Sequence, residues 1–311
     1  MEKILTSAMA VGSQHENHIA DWPALSTFAA TFFSDEAAFM SRSIPKNQAQ
    51  SLDFLFKHLK GMKAGDLATL SLFVKVVHSR IPRHYVCKPT TKEVVKIPNP
   101  KTKFMTYRTA MVVLQRKPLH YKIVRLSKPC NHHSKRHFLV LSEIFDSASG
   151  DWKRSNDIKL PMLDFLNDGL PILANGAIHW LTNSGMILAF DVRSEQWELI
   201  ALPEVVGDRQ DSCYKKLAKY EGRLAILNGS VDKVEIWVLE NYVQNSWKLK
   251  EEVNSGSAID LYASDVVLLL GQFSLTLYNF RHGSSTSVSI NKHFFVHEVF
   301  PFHSDSEPAW L

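Results

Sequence analysis

Between residues 70 and 290 the chain is a succession of short apolar runs rich in Val, Ile, Tyr, Phe and Trp, separated by Asn, Gly, Ser and Asp. Runs of about four to eight such residues between turn formers predict β-strands, and no long helical period interrupts them. One unit recurs. In its clearest copy Asn175-Gly176 leads the run Ala177-Ile178-His179-Trp180-Leu181, and Asn183-Ser184-Gly185 makes a turn. Ile187 to Asp191 then returns, and Gln196-Trp197-Glu198-Leu199-Ile200 follows. A second copy has Glu221-Gly222 before Arg223 to Leu227, Asn228-Gly229-Ser230 as turn, Val234 to Leu239, and then Ser246-Trp247-Lys248-Leu249. Gly176 to Gly222 is 46 residues and Trp197 to Trp247 is 50, a period that predicts the blades of a β-propeller.

Weaker copies flank these two. Ser142 to Asp146 with Ser149-Gly150-Asp151-Trp152 repeats the second and third strands, as do Tyr85 to Cys87 and Val94 to Pro98. Val266 to Leu270, Leu275 to Asn279 and Ser287 to Ile290 continue the series, giving about five copies. The expected fold is therefore all-β, a propeller-like (kelch-like) repeat of antiparallel three- to four-stranded units.

Upstream the pattern changes. Residues 1–20 carry none, and Asp21 before Trp22-Pro23 reads as a helix start followed by Leu25, Phe28, Ala29, Phe32 and Phe33 at helical spacing. One or two helices are expected over residues 22–42. Leu52, Leu55, Phe56 and Leu59 fit a helix, while Leu52, Phe54 and Phe56 fit a strand. The expected organisation is a short helical segment, 1–45, ahead of a β domain, 50–311.

At 311 residues, with 45% hydrophobic and 22% charged, the composition is that of a globular protein with a sizeable core, which excludes collagen, coiled coil and disorder. Cys87, Cys130 and Cys213 are odd in number and far apart, so no disulfide framework is expected. No signal-peptide pattern is present, and Val266 to Leu270 falls far short of the roughly 20 residues of a membrane span. The reading is an intracellular protein of nucleus or cytoplasm, without membrane contact.

Charge is unevenly spread. Residues 1–160 hold 25 Lys+Arg against 12 Asp+Glu, and residues 161–311 hold 11 against 19. No acid lies between Glu93 and Glu143, where eleven Lys and Arg fall. Such a stretch suits an acidic partner or a solvated face, and lacks the interleaved aromatics of a nucleic-acid surface. Its loop residues Lys128, His132, His133, Lys135 and Arg136 are candidate partner contacts.

Motifs for chemistry are sparse. Cys130, His132, His133 and His137 form a His-rich loop without the second Cys pair of a zinc site. His179, before Trp180 on a strand, reads as a packed or hydrogen-bonded histidine, since no nucleophile motif or orienting carboxylate is assigned to it. Phosphate-cradling Gly loops, His-Glu-x-x-His and Gly-x-Ser-x-Gly are missing from the sequence. Asp146, Asp191 and Glu240 recur at one position of the repeat, where a propeller hydrolase would need converging acids, yet they end strands before turns, where local hydrogen bonding favours Asp. Trp152, Trp197 and Trp247 read as packing between blades. No cofactor, metal or catalytic residue is assigned.

Combined, these segments resemble a known family. Tyr85-Val86-Cys87-Lys88-Pro89-Thr90-Thr91-Lys92-Glu93, closed by Ile97-Pro98, resembles the "CNPTTK…LP" signature of plant F-box proteins with the F-box-associated, kelch-like domain. His120 to Val124 resembles its "YKVV" strand, Phe145 to Trp152 its turn, Asn175 to Trp180 its "vNGaLHWL" strand, and Ile187 to Asp191 with Leu202-Pro203 its next strands. The resemblance implies the substrate receptor of an SCF-type ubiquitin ligase: the β domain captures an unknown target protein, and an F-box binds the Skp adaptor and cullin. Residues 1–45 depart from the three-helix F-box pattern, with Trp22, Leu25 and Phe28 as candidate remnants of the adaptor surface. Alternatives from other classes are a scaffold or decoy that does not deliver its target, and a propeller hydrolase.

Overall fold

The computed structural model describes residues 27–32, 37–41, 62–68, 71–76, 83–88, 93–115, 118–129, 137–162, 164–167, 169–207, 214–230, 232–254, 258–263, 265–270, 274–289 and 299–303. They fall into two compact units, Met1–Cys130 with Ser142–Arg154 and Val288–Leu311, and Asn131–Leu141 with Ser155–Ser287. Every sheet is antiparallel in its described pairings, so short turns suffice to connect consecutive strands.

In the first unit β1 (Thr27–Phe32) lies between β2 (Ala37–Ser41) and the late strand β24 (Val299–His303). A second sheet runs β3 (Met62–Ala68), β4 (Ser71–Val76), β5 (Arg83–Lys88), β6 (Glu93–Ile97). A third holds β7 (Met105–Gln115), β8 (His120–Lys128), β9 (His137–Asp146) and β10 (Asp151–Arg154), in that spatial order. The first half of β9 also pairs with β11 (Ile158–Pro161), Ile158 opposite Val140.

The second unit repeats the four-strand meander three times beyond β11. The first copy is β12 (Ile172–Ala174), β13 (Ala177–Leu181), β14 (Met186–Asp191), β15 (Trp197–Ala201), followed by a single helical turn, α1 (Glu204–Gly207). Then come β16 (Tyr214–Tyr220), β17 (Arg223–Gly229), β18 (Val234–Asn241), β19 (Ser246–Val253). The last is β20 (Ala258–Ala263), β21 (Val266–Leu270), β22 (Ser274–Asn279), β23 (Ser284–Ser289).

The five copies read from the repeat are the five sheets from β3 to β23. The sixth sheet, which joins residues 27–41 to 299–303, has no contiguous sequence unit. It also corrects the helices expected over 22–42, because residues 27–32 and 37–41 are strands. Phe28 and Phe32 fit a helical face with Ala29 and also period two with Ala30, and backbone partners on both sides decide the matter. Ala30, for instance, faces Phe39 on β2 and Phe300 on β24. Residues 52–59 lie outside the described residues.

Two-residue turns set the register. Asn175-Gly176 and Glu221-Gly222 both have positive φ at each position (49° and 78°, 49° and 81°), the primed turn that matches the twist of paired strands. The Asn175 side chain also accepts the Leu224 N–H at 3.2 Å, and its own N–H donates to Gly222 O, so one turn bonds to the next sheet.

Middle strands are buried on both faces, which explains their unbroken apolar runs. On β14, Ile187 and Ala189 join a core with Leu224, Ile226 and Leu239 of the following sheet. Ala225, Leu227 and Ile236, from the opposite face of β17 and β18, pack with Leu261 and Val267. In the first unit Val86 and Ile97 meet Met111, Tyr121, Ile123, Phe145 and Trp152.

The link from β6 to β7 crosses the face of the β7–β10 sheet. Lys101 pairs with Asp151 on β10 at 2.8 Å, Thr102 reaches Glu143 on β9, and Phe104 O reaches Arg125 on β8. This buries irregular backbone, whose polar groups need partners. Arg125 and Glu143, both buried and ion-paired, supply them: Glu143 accepts the Thr102 N–H at 3.0 Å and its hydroxyl at 2.6 Å. Arg125 donates to Phe104 O, to Thr102 Oγ1 at 3.0 Å and to Thr106 Oγ1 at 2.8 Å. Burial draws the guanidinium below its ordinary value, and Glu143 opposes that shift.

Arg125→Met alone strands a buried carboxylate and should lower stability by about 3–5 kcal/mol in urea unfolding. Arg125→Met/Glu143→Leu should recover part of that loss but not all, because Thr102 N and Phe104 O stay buried without partners.

Candidate binding surface

The Trp that recurs on the fourth strands β10, β15 and β19 has a defined task on two of them. Trp152 Nε1 on β10 donates to Pro98 O at 2.7 Å, just past the end of β6, and its ring packs 5.5 Å from Phe145. Trp247 on β19 does the same to Ala201 O at 3.0 Å, the end of β15. The packing role expected from the sequence is thus accompanied by an inter-sheet hydrogen bond. Trp197, at the same place on β15, stacks 4.7 Å from Phe190 and 5.7 Å from Trp180, yet its N–H and that of Trp180 are buried without a hydrogen-bond partner among the described residues.

His179 is a packed histidine, as its sequence setting implies. Ile172 O, 3.1 Å away, can only accept, so Nδ1 carries the proton and Nε2 accepts the Tyr242 hydroxyl at 2.7 Å. Burial holds its pKa down to about 4, and burial followed by Glu198 raises that of Tyr242. The acids that recur at strand ends are engaged locally. Asp146 accepts the Ala148 N–H and Asp191 the N–H groups of Arg193 and Ser194, while Glu240 pairs with Lys250. The Ser194 N–H is the main influence holding Asp191 below the usual carboxylate range.

Of the residues singled out as partner contacts, Lys128 ends β8, exposed and opposite the half-exposed Met105. His132, His133, Lys135 and Arg136 lie outside the described residues, as do Cys130, Trp22 and Leu25. His137 opens β9. Phe28 sits in β1 opposite Ser41 and Phe302, within a strand pairing and not on the helical adaptor surface expected of it.

A surface not anticipated from the sequence lies in the second unit, where the link from β11 to β12 is pinned to the β13–β14 turn. Asp164, 2% exposed, accepts the Ser184 N–H and hydroxyl at 2.9 and 2.7 Å, and Phe165 O accepts the Asn183 N–H at 2.9 Å. Leu166 turns inward, leaving Met162 51% and Phe165 46% exposed. Val205 on α1 and Leu199 on β15, 49% and 37% exposed, add to the apolar surface of this sheet and the link after it. Periodicity places strands but says nothing of which way a loop side chain points, and an Asp between apolar residues was the available signal.

Sheets of this kind, repeated and locked edge to face, define a β-propeller domain. The family described as "F-box associated beta propeller domain" matches residues 28–271, and the chain belongs to that family. It is 25% identical over 185 residues to F-box protein At5g49610 of Arabidopsis thaliana, covering 55% of this chain and 50% of that protein. Against F-box protein At3g57590 of the same plant it is 26% identical over 236 residues, covering 68% and 55%. The chain thus spans about half the length of these curated relatives. Among solved structures, TolB from Acinetobacter baumannii aligns with a TM-score of 0.50 at 10% identity, over 96% of this chain and 71% of that one, a likeness of fold alone. No described helix is long and apolar enough to cross a membrane.

The neutral His179 gives the fold an acid sensitivity of definite sign. Unfolded histidine protonates near 6.5, whereas the folded ring resists to about 4, so stability is whole above pH 6.5 and lost as pH falls toward 4. Unfolding free energies from urea titrations at pH 7 and pH 5 should differ by about 2 kcal/mol from this group, and His179→Gln should remove that part of the difference.

Proposed function

We propose that this chain is the target-recognition part of an SCF-type ubiquitin-ligase receptor, a binding protein and not an enzyme, which captures a target protein with surfaces of its β domain. The observation that carries the reading is the family match across residues 28–271. Relatives named F-box proteins support it, as does a fold whose strands are consumed by packing, leaving links and outer edges for recognition. Among the strand-end acids, Asp191 and Asp146 are occupied by their own turns, which favours binding over hydrolysis.

The basic connection that begins at Lys128, with His132, His133, Lys135 and Arg136, belongs to this reading as a contact for an acidic patch on the target. Target captured from plant extract should then fall as salt is raised, and Lys128→Glu/Lys135→Glu/Arg136→Glu should weaken capture at low salt. Capture indifferent to both would remove that loop from the surface.

Coupling to the ligase is tested by pulling down the Skp adaptor with chain 1–311, beside a version given an intact F-box. Retention by chain 1–311, lost in Trp22→Ala/Leu25→Ala, assigns adaptor binding to the residues before β1. Retention by the fused version alone assigns this chain to recognition without adaptor binding. The receptor reading predicts that the fused version, with adaptor and cullin, transfers ubiquitin to a protein the β domain captures. A captured protein left unmodified under those conditions would identify a scaffold instead.

A further inference from the structure

The outer strands of the sheets are not equally protected. β10 carries Lys153 and Arg154 on its exposed positions, and β19 carries Lys248, Lys250, Glu251 and Glu252. Charges of this kind blunt an edge against pairing with another chain. β23 carries no charge but is built of small polar residues, Ser and Thr, with one Val, whereas β15 reads Trp197-Glu198-Leu199-Ile200-Ala201, largely apolar with a single charge. It ends the order β12-β13-β14-β15, and no strand pairs with its outer side among the described residues. Leu199 is exposed although its cross-strand neighbour Leu188 is buried, and it shares a face with half-buried Trp197.

Trp197 also differs from its counterparts. Trp152 and Trp247 each donate to a carbonyl of the preceding sheet or its link, whereas the Trp197 N–H has no acceptor among the described residues. The Trp197 ring lies 4.7 Å from Phe190 on β14 and 5.7 Å from Trp180 on β13, so it covers the sheet face inward of β15 and leaves the outer edge open. Charge selects the partner. Residues 191–205 hold Asp191, Glu195, Glu198 and Glu204 against Arg193, and Glu198 and Glu204 are exposed. Ala201 O is taken by Trp247, so the free length runs from Trp197 to Ile200.

From these observations we propose that the outer edge of β15 is the docking strip for an extended segment of the target protein, which adds to the sheet as a further strand. The segment alternates apolar residues, packed on Trp197 and Leu199, with basic residues facing Glu198. Main-chain hydrogen bonds supply the affinity and the alternation supplies the selectivity. The inference rests on the target-capture reading above and assigns its site.

The test uses full chain 1–311 and fluorescein-labelled seven-residue peptides in anisotropy titrations. One peptide alternates Lys and Val, one alternates Glu and Val, and one is the Lys/Val peptide with Pro at its centre. The Lys/Val peptide should bind, and the Pro peptide, short of one donor and sterically barred from the ladder, should bind about tenfold more weakly. Leu199→Lys should also weaken binding about tenfold without moving the melting temperature, and Glu198→Lys should reverse the preference in favour of the Glu/Val peptide. Hydrogen exchange should slow at the β15 amides when the Lys/Val peptide is bound. Failure of the Lys/Val peptide to bind, or equal binding to wild type and Leu199→Lys, overturns the proposal. Loss of adaptor coupling with this binding intact would count against the ligase reading and leave the strip standing.

Discussion

Laying an irregular stretch of chain across the face of a packed sheet buries peptide groups that no neighbouring strand can reach, and the arrangement stands only if side chains reach them instead. Two of the described links between sheets face this demand. Between β6 and β7 it is met by Arg125 and Glu143, whose charges neutralise each other while their remaining donors and acceptors bind Thr102, Phe104 and Thr106. Between β11 and β12 a lone carboxylate, Asp164, suffices because the link runs past a turn with free N–H groups. Buried charge here is a solution to backbone satisfaction, and its energetic merit lies in what it prevents.

The same demand appears in miniature at the indoles and at His179. Trp152 and Trp247 fix neighbouring sheets with a bond that has direction as well as area, so the packing angle is specified and not merely permitted. His179 sits between a carbonyl that can only accept and a hydroxyl that then must donate, which fixes one tautomer of a neutral ring in an otherwise apolar layer. A repeat fold gains its regularity from such bonds made in the same place, and a position where one is missing, as at Trp197, stands out by comparison.

Much of the fold was legible because the repeat is marked by residues with a mechanical reason to be there. Asn175-Gly176 and Glu221-Gly222 announce hairpins through positive φ, and the Trp residues mark equivalent strands 45 to 50 positions apart. The misreading at residues 27–32 arose where a six-residue run, Thr-Phe-Ala-Ala-Thr-Phe, satisfies both periods and the deciding partners lie some 270 residues later in the chain. Contacts of that separation leave no local mark. The binding surface was less legible still, since Phe165 and Leu166 are adjacent and both apolar, yet only the bond from Asn183 N to Phe165 O reveals which of them turns outward.

The sheet β2-β1-β24 gives the order of synthesis a physical role. β1 and β2 leave the ribosome well before β24: the partner for β1's other side, residues 299–303, follows only after some 267 further residues, roughly 10–50 s at ordinary rates of elongation. For that interval the outer side of β1 is an unpaired strand edge, open to pairing with another chain. Closure of this sheet therefore waits on the synthesis of residues 299–303, after all five repeated sheets have been made.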